Sequence, residues 1–137
     1  MRGASLAAVA CSFLLISCGD STGLEPLPAT YVLVSVNGES LPYYIHSITE
    51  IDSTSVEIAV AALTFRINSD ETCSWSITWR ETRNGIVEMN PLTAACTWSV
   101  SSASFTLMFP GQRWSGSVSG NSLTLVIDGR SWLLERQ

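Results

Sequence analysis

Residues Phe105 to Arg136 read FTLMFPGQRWSGSVSGNSLTLVIDGRSWLLER. Large apolar and small polar side chains alternate along it, as on strands with one buried face, and pairs that favour tight turns punctuate the alternation: Pro110-Gly111, Gly120-Asn121 and Asp128-Gly129. In an antiparallel hairpin, facing residues have numbers of constant sum. Each turn therefore fixes a register, and a slip of one residue would turn a strand inside out. Turning at Asp128-Gly129 sets Ile127 against Arg130, Leu125 against Trp132 and Leu123 against Leu134. The turn at Gly120-Asn121 sets Val118 against Leu123, Gly116 against Leu125 and Trp114 against Ile127. Pro110-Gly111 pairs Leu107 with Trp114 and lays Phe105 over Gly116, a ring covering the gap that a glycine leaves. A four-residue loop from Ser101 to Ser104 then pairs Val100 with Phe105 and Trp98 with Leu107. Five successive strands agree on one buried side.

Upstream the same alternation runs through Cys73-Ser74-Trp75-Ser76-Ile77-Thr78-Trp79-Arg80. A turn at Asn84-Gly85 brings Cys73 opposite Cys96. Pro91 cannot donate to a ladder and is expected to mark a bulge that shifts this register. All five tryptophans, Trp75, Trp79, Trp98, Trp114 and Trp132, fall on the inward face. The outward face is mainly Ser and Thr, the reverse of a membrane-spanning barrel. Ala61 to Ile67 reads as a strand with Leu63, Phe65 and Ile67 inward, which requires an odd-length connection through Asn68 to Thr72. Between Leu41 and Ala62 the pattern is least regular. Ile45, Ile48 and Ile51 recur every third residue, so a short helical turn in a lid or crossing segment is expected there. The fold class is all-β: a single antiparallel up-and-down meander. It should close by bringing the first strand, Tyr31 to Val36, against the last, Trp132 to Glu135, because closure removes exposed edges.

The whole chain has 137 residues, 46% hydrophobic and 14% charged, with a formal net charge of −5. That composition gives one ordered domain. An acidic chain without lysine offers no basic patch for nucleic acid. Residues Met1 to Cys18 carry one charge, Arg2, ahead of the apolar run Leu6 to Ile16, too short to span a bilayer and of the length of a secretory signal core. Leu15-Ile16-Ser17-Cys18 resembles the lipobox of bacterial lipoproteins. That resemblance implies cleavage after residue 17, acylation of Cys18, and a membrane partner held through the lipid. Gly19 after the cysteine favours the outer membrane by the same resemblance. Each buried methylene contributes about 0.8 kcal/mol, so two or three chains anchor stably. The division expected is a signal peptide over 1–17, an acylated terminus and Gly/Ser/Pro-rich tether over 18–30, and the barrel domain over 31–136. An exported domain meets oxidising conditions, so Cys73 and Cys96 are expected to form a disulfide.

Leu33-Val34-Ser35-Val36-Asn37-Gly38-Glu39-Ser40-Leu41-Pro42 and Ser115-Gly116-Ser117-Val118-Ser119-Gly120-Asn121-Ser122-Leu123 resemble two motifs of the small lipocalin-like lipoproteins of bacteria. Where those have D-G-T-aromatic and G-x-aromatic, this chain has Asp70-Glu71-Thr72-Cys73 and Cys96-Thr97-Trp98, and both departures create a cysteine. The resemblance implies a lipocalin-like up-and-down barrel of about eight strands that binds apolar ligands or other envelope components, and it carries no catalytic residue.

Candidate chemistry is sparse. His46, Glu50 and Asp52 are the nearest approach to a metal site, but no second histidine or ligand-spaced cysteine joins them. The serines lack a G-x-S-x-G elbow. No cofactor motif occurs, and an enzyme is not expected. The tryptophans carry the functional reading: Trp75, Trp98, Trp114 and Trp132 are the candidate lining of a site for a small apolar or amphipathic ligand. Five indoles with Phe65, Phe105 and Phe109 would fill most of a narrow barrel, so any pocket is expected at the mouth beneath Leu41 to Asp52. The alternative is a filled barrel that contacts another envelope protein.

Overall fold

The turn pairs do what their residues allow. In a computed structural model describing residues 28–49, 54–101 and 104–137, Asn84 and Gly85 have φ of 49° and 80°, and Asp128 and Gly129 have 50° and 73°. These are the doubly left-handed values of the type I′ hairpin, whose twist matches that of the flanking strands. Asn37 and Gly38, at 51° and 81°, make a third.

Ten strands result: β1 (Ala29–Val36), β2 (Glu39–Ser40), β3 (Tyr43–Thr49), β4 (Ser55–Ile67), β5 (Thr72–Arg83), β6 (Ile86–Ser101), β7 (Ser104–Phe109), β8 (Gln112–Ser119), β9 (Ser122–Ile127) and β10 (Arg130–Arg136). All pair antiparallel, and β4 to β10 follow one another as a meander. β1 closes it, pairing with β10 through Tyr31–Arg136 and with β4 through Ala29–Ile67. The protein is an eight-stranded antiparallel barrel with β2 and β3 added outside the closed ring.

The register matches the alternation in the sequence. Leu125 faces Trp132, Gly116 faces Leu125, Phe105 faces Gly116, Leu107 faces Trp114, Trp98 faces Leu107, and Cys73 faces Cys96. Phe65 faces Trp75 across the odd-length connection. Phe65, Phe105, Leu107, Leu123, Leu125 and Leu134 are buried, and among the described residues no polar or charged one is. Gly116 is required by space: a Cβ there would run into the carbonyl oxygen of Thr124.

Two expectations fail. Pro91 causes no bulge: it faces Thr78 in an unbroken ladder from Thr72–Thr97 to Arg83–Ile86. Arg83 and Ile86 flank a two-residue turn and so bond to each other, as do alternate pairs beyond them. Pro91 falls between, with its missing N–H directed away from β5, on the side that β7 does not reach because its pairing begins at Thr97. Leu41 to Ala62 contains no helical turn among its described residues. Tyr43–Thr49 is β3, paired with the outer half of β4 and bulged between Tyr44 and His46. Glu50, Ile51 and Asp52 lie outside the described residues.

Bulges explain how the barrel ends. β4 is irregular between Val60 and Ala62; beyond it Thr64–Ile67 pair with β1, before it Ser55–Val60 pair with β3. A bulge bends its strand. The outer halves of β4, β5 and β6, together with β3, thus form a four-stranded extension beyond the closed ring. A second irregularity, between Leu33 and Ser35 in β1, brings both Leu33 and Val36 into the core although they are three residues apart.

The two ends of the ring differ. At the closed end Trp98 donates its backbone N–H to Glu71 O (2.9 Å) and its indole N–H to Asn68 O (3.0 Å). Asn68 Nδ2 donates to Thr72 Oγ1 (2.9 Å), which donates to Asp70 Oδ1 (2.5 Å). The Thr72 hydroxyl and backbone N–H together hold the Asp70 carboxyl below the ordinary carboxylate range. Arg136 N and Gln137 N reach Asn121 O and Thr30 O. The Cys73–Cys96 disulfide, with Cα atoms 4.8 Å apart, joins β5 to β6 on the same inward face.

Candidate functional site: a tryptophan-lined mouth

At the opposite end, three turns (Asn37-Gly38, Pro110-Gly111 and Asp128-Gly129) ring the opening, and the extension stands beside it. Asn37 fastens this rim: its N–H donates to Ser131 O (2.7 Å), and its Oδ1 accepts from Ser131 N (2.8 Å).

Inside the ring the upper core is aromatic. Trp114 packs against Phe65 (ring centroids 6.2 Å apart), Phe109 (4.5 Å) and Trp75 (5.7 Å), and Trp75 against Phe109 (5.8 Å). The tilted and edge-on angles are those that aromatic quadrupoles favour. These rings fill the middle of the barrel and form the floor of what lies above.

Above them is a cavity of about 510 Å³. One wall is the extension, with Ile45 from β3, Leu63 from β4, Ile77 and Trp79 from β5, and Leu92 from β6. The other is β8 to β10, with Trp114, Ile127, Arg130 and Trp132. The ladder between β8 and β9 stops at Ser115–Val126, one pair short of Trp114 and Ile127, and both of these face the cavity space. A concave, mainly apolar site of this volume with a few polar groups at its edge is the usual form of a small-molecule pocket.

The structure brings three of the four expected ligand-site tryptophans together here: Trp75, Trp114 and Trp132. Trp98 is the correction. It shares the inward face, but it sits at the closed end, packed on Phe105 (6.2 Å) with its N–H already committed to Asn68. Face is readable from alternation; height along the barrel axis depends on strand stagger, which is not. Trp79 takes its place among the lining rings. Arg130 also belongs to the site, and the hairpin register that sets it opposite Ile127 on the inward face is the signal for it in the sequence.

Trp75 and Trp132 each carry a buried indole N–H without a hydrogen-bond partner among the described residues. Arg130, half-buried beside them, makes no side-chain hydrogen bond or ion pair with any described residue.

Elsewhere chemistry is thin. His46 is exposed on β3, and Glu50 and Asp52 lie outside the described residues, as does Cys18. Among the described residues no three His, Cys, Asp or Glu side chains gather as a metal site would need. No protein family, curated protein or solved structure matches this chain.

Proposed function

We propose that this chain is a lipid-anchored protein of the bacterial envelope, lipocalin-like in design, whose barrel binds a small apolar or amphipathic molecule at its open end without catalysis. The cavity carries this reading: four indoles and six aliphatic side chains line about 510 Å³ at one end of a barrel otherwise filled by its own side chains. Apolar walls make the binding energy, at about 25 cal/mol per Å² removed from water, and the small number of polar groups sets orientation. The lipobox-like Leu15 to Cys18 supports the anchor, and the Gly/Ser/Pro-rich stretch after it supports a tether from the membrane, the outer one by Gly19.

A neutral fluorescent lipophile such as N-phenyl-1-naphthylamine tests the binding reading. Saturable binding with quenching of tryptophan emission is expected, and its loss in Trp79→Ala combined with Leu92→Ser places it in the mouth. No saturation with this or a panel of lipophiles overturns the reading. Intact mass of the membrane-extracted protein tests the anchor, since an unacylated terminus other than Cys18 refutes it.

One observation favours the second reading, in which another envelope protein is the partner. The extension exposes Ile86 (68%), Met89 (54%) and Leu92 (52%), distributed over both of its faces. Co-purification of a single envelope protein, lost on Met89→Ser with Ile86→Ser, would favour it.

A further inference from the structure

We infer that the mouth selects an anion: a flat apolar molecule carrying one negatively charged acceptor group, such as a carboxylate, which Arg130 meets at the cavity wall. The inference rests on the binding reading above and adds the chemical class of the ligand.

Two observations carry it. First, the body of the site is built for a flat ring system. Trp75, Trp79, Trp114 and Trp132 line the cavity, and indole faces favour stacking or edge contacts with other π systems over filling by flexible chains.

Second, the cavity holds a cation, Arg130, that forms no ion pair among the described residues. Arg130 opens β10 directly opposite Ile127 and two residues before Trp132, so its side chain leaves the sheet on the cavity side. It is half-buried and forms no ion pair among the described residues, although Asp128 lies at the same rim. Taking a guanidinium partly out of water without a partner is unfavourable, and an incoming anion reverses that cost in surroundings where charges attract more strongly than in bulk water. The planar fork of the guanidinium matches a carboxylate with two parallel hydrogen bonds. Gln112, inward through its pairing with Phe109, adds an amide to the same rim. Arg113 also borders the cavity, but its pairing with Met108 sets its side chain on the outer face, so it is not assigned this role.

A matched pair of probes separates charge from apolar fit: 1-pyrenebutyrate and 1-pyrenebutanol, with the same ring and chain. Pyrene emission is followed in titrations of the acylated or soluble full domain near neutral pH. The expected result is binding of the acid at least about tenfold tighter than the alcohol, a factor equal to about 1.4 kcal/mol. Arg130→Gln should lower the acid to the affinity of the alcohol while leaving the alcohol within about twofold, and Arg130→Lys should restore part of the preference. Equal affinities in the wild-type protein, or an Arg130→Gln variant that weakens both probes alike, overturn anion selection and leave the binding reading standing. Binding of neither probe, nor of any neutral lipophile, removes both.

Discussion

The closed end and the mouth are walled by the same eight strands, yet they settle their polar groups in opposite ways. At the closed end Trp98, Asn68, Thr72 and Asp70 satisfy one another, and the neighbouring strand ends are tied by Arg136 and Gln137. At the mouth, among the described residues, Trp75 and Trp132 have no partner for their indole N–H groups, Arg130 has none for its guanidinium, and a cavity replaces packed side chains. Buried unpaired donors and voids each lower stability. The contrast teaches that polar satisfaction is concentrated at one end, and under the binding function proposed above recognition belongs to the other.

The largest difference should come from deleting one ring at each end. Phe105→Ala removes a fully buried side chain that lies over Gly116 and against Trp98, and the expected loss is about 3–5 kcal/mol. Trp79→Ala, in the half-buried mouth, should cost only about 1 kcal/mol while weakening lipophile binding. Urea denaturation measures both, and equal losses would erase the distinction.

Next in size is the disulfide. Replacing Cys73 and Cys96 together by serine releases a closed loop with a sequence separation of 23 residues and should lower stability by about 3 kcal/mol in the chain-entropy account. Neither cysteine borders the mouth cavity, so ligand affinity measured in the folded range should stay within about twofold. A large loss of affinity at unchanged fold would show that the ends are coupled.

At the rim, Asn37→Ala removes the acceptor for Ser131 N and places alanine at a φ of 51°, for an expected cost of about 1–2 kcal/mol in thermal or urea unfolding. Asn37→Gly keeps the backbone freedom and should lose only the hydrogen-bond share. If glycine costs as much as alanine, the conformation carries none of the effect.

The smallest expected effect is the acid response of the closed end. Asp70 titrates below its usual value because the ionised carboxylate accepts from Thr72. Its contribution is present above the ordinary carboxylate pKa of 3.8 and is lost as the pH falls through the lower folded value. Asp70→Asn should therefore flatten the acid limb of a plot of melting midpoint against pH and leave the neutral region almost unchanged. An identical acid limb in the variant would remove Asp70 from the account.

Much of this contrast is legible in the sequence, and the reason is geometric. Alternation and two-residue turns are local signals, and a constant-sum register propagates them from Cys73–Cys96 to Leu123–Leu134 without knowledge of the rest of the fold. What escapes is non-local. The bulges at Val34 and Ala61 change register without a glycine or proline to announce them. Tyr43–Thr49 is a strand whose isoleucine spacing mimics a helical turn because its own bulge resets the alternation. Pro91 misleads in the other direction: its missing donor matters only on the side where a partner strand lies. Strand stagger, which no single hairpin encodes, places Trp98 at the closed end and Trp79 at the mouth.

Amide hydrogen exchange of the domain, with and without saturating N-phenyl-1-naphthylamine, tests the division of labour most directly. Added protection is expected in Trp75 to Trp79 and Trp114 and around Ile127 to Trp132, with Asn68 to Cys73 and Trp98 to Phe105 already slow and unchanged among the described residues. Protection that appears first at the closed end, or a closed end that exchanges as fast as the mouth before any ligand is added, would contradict it.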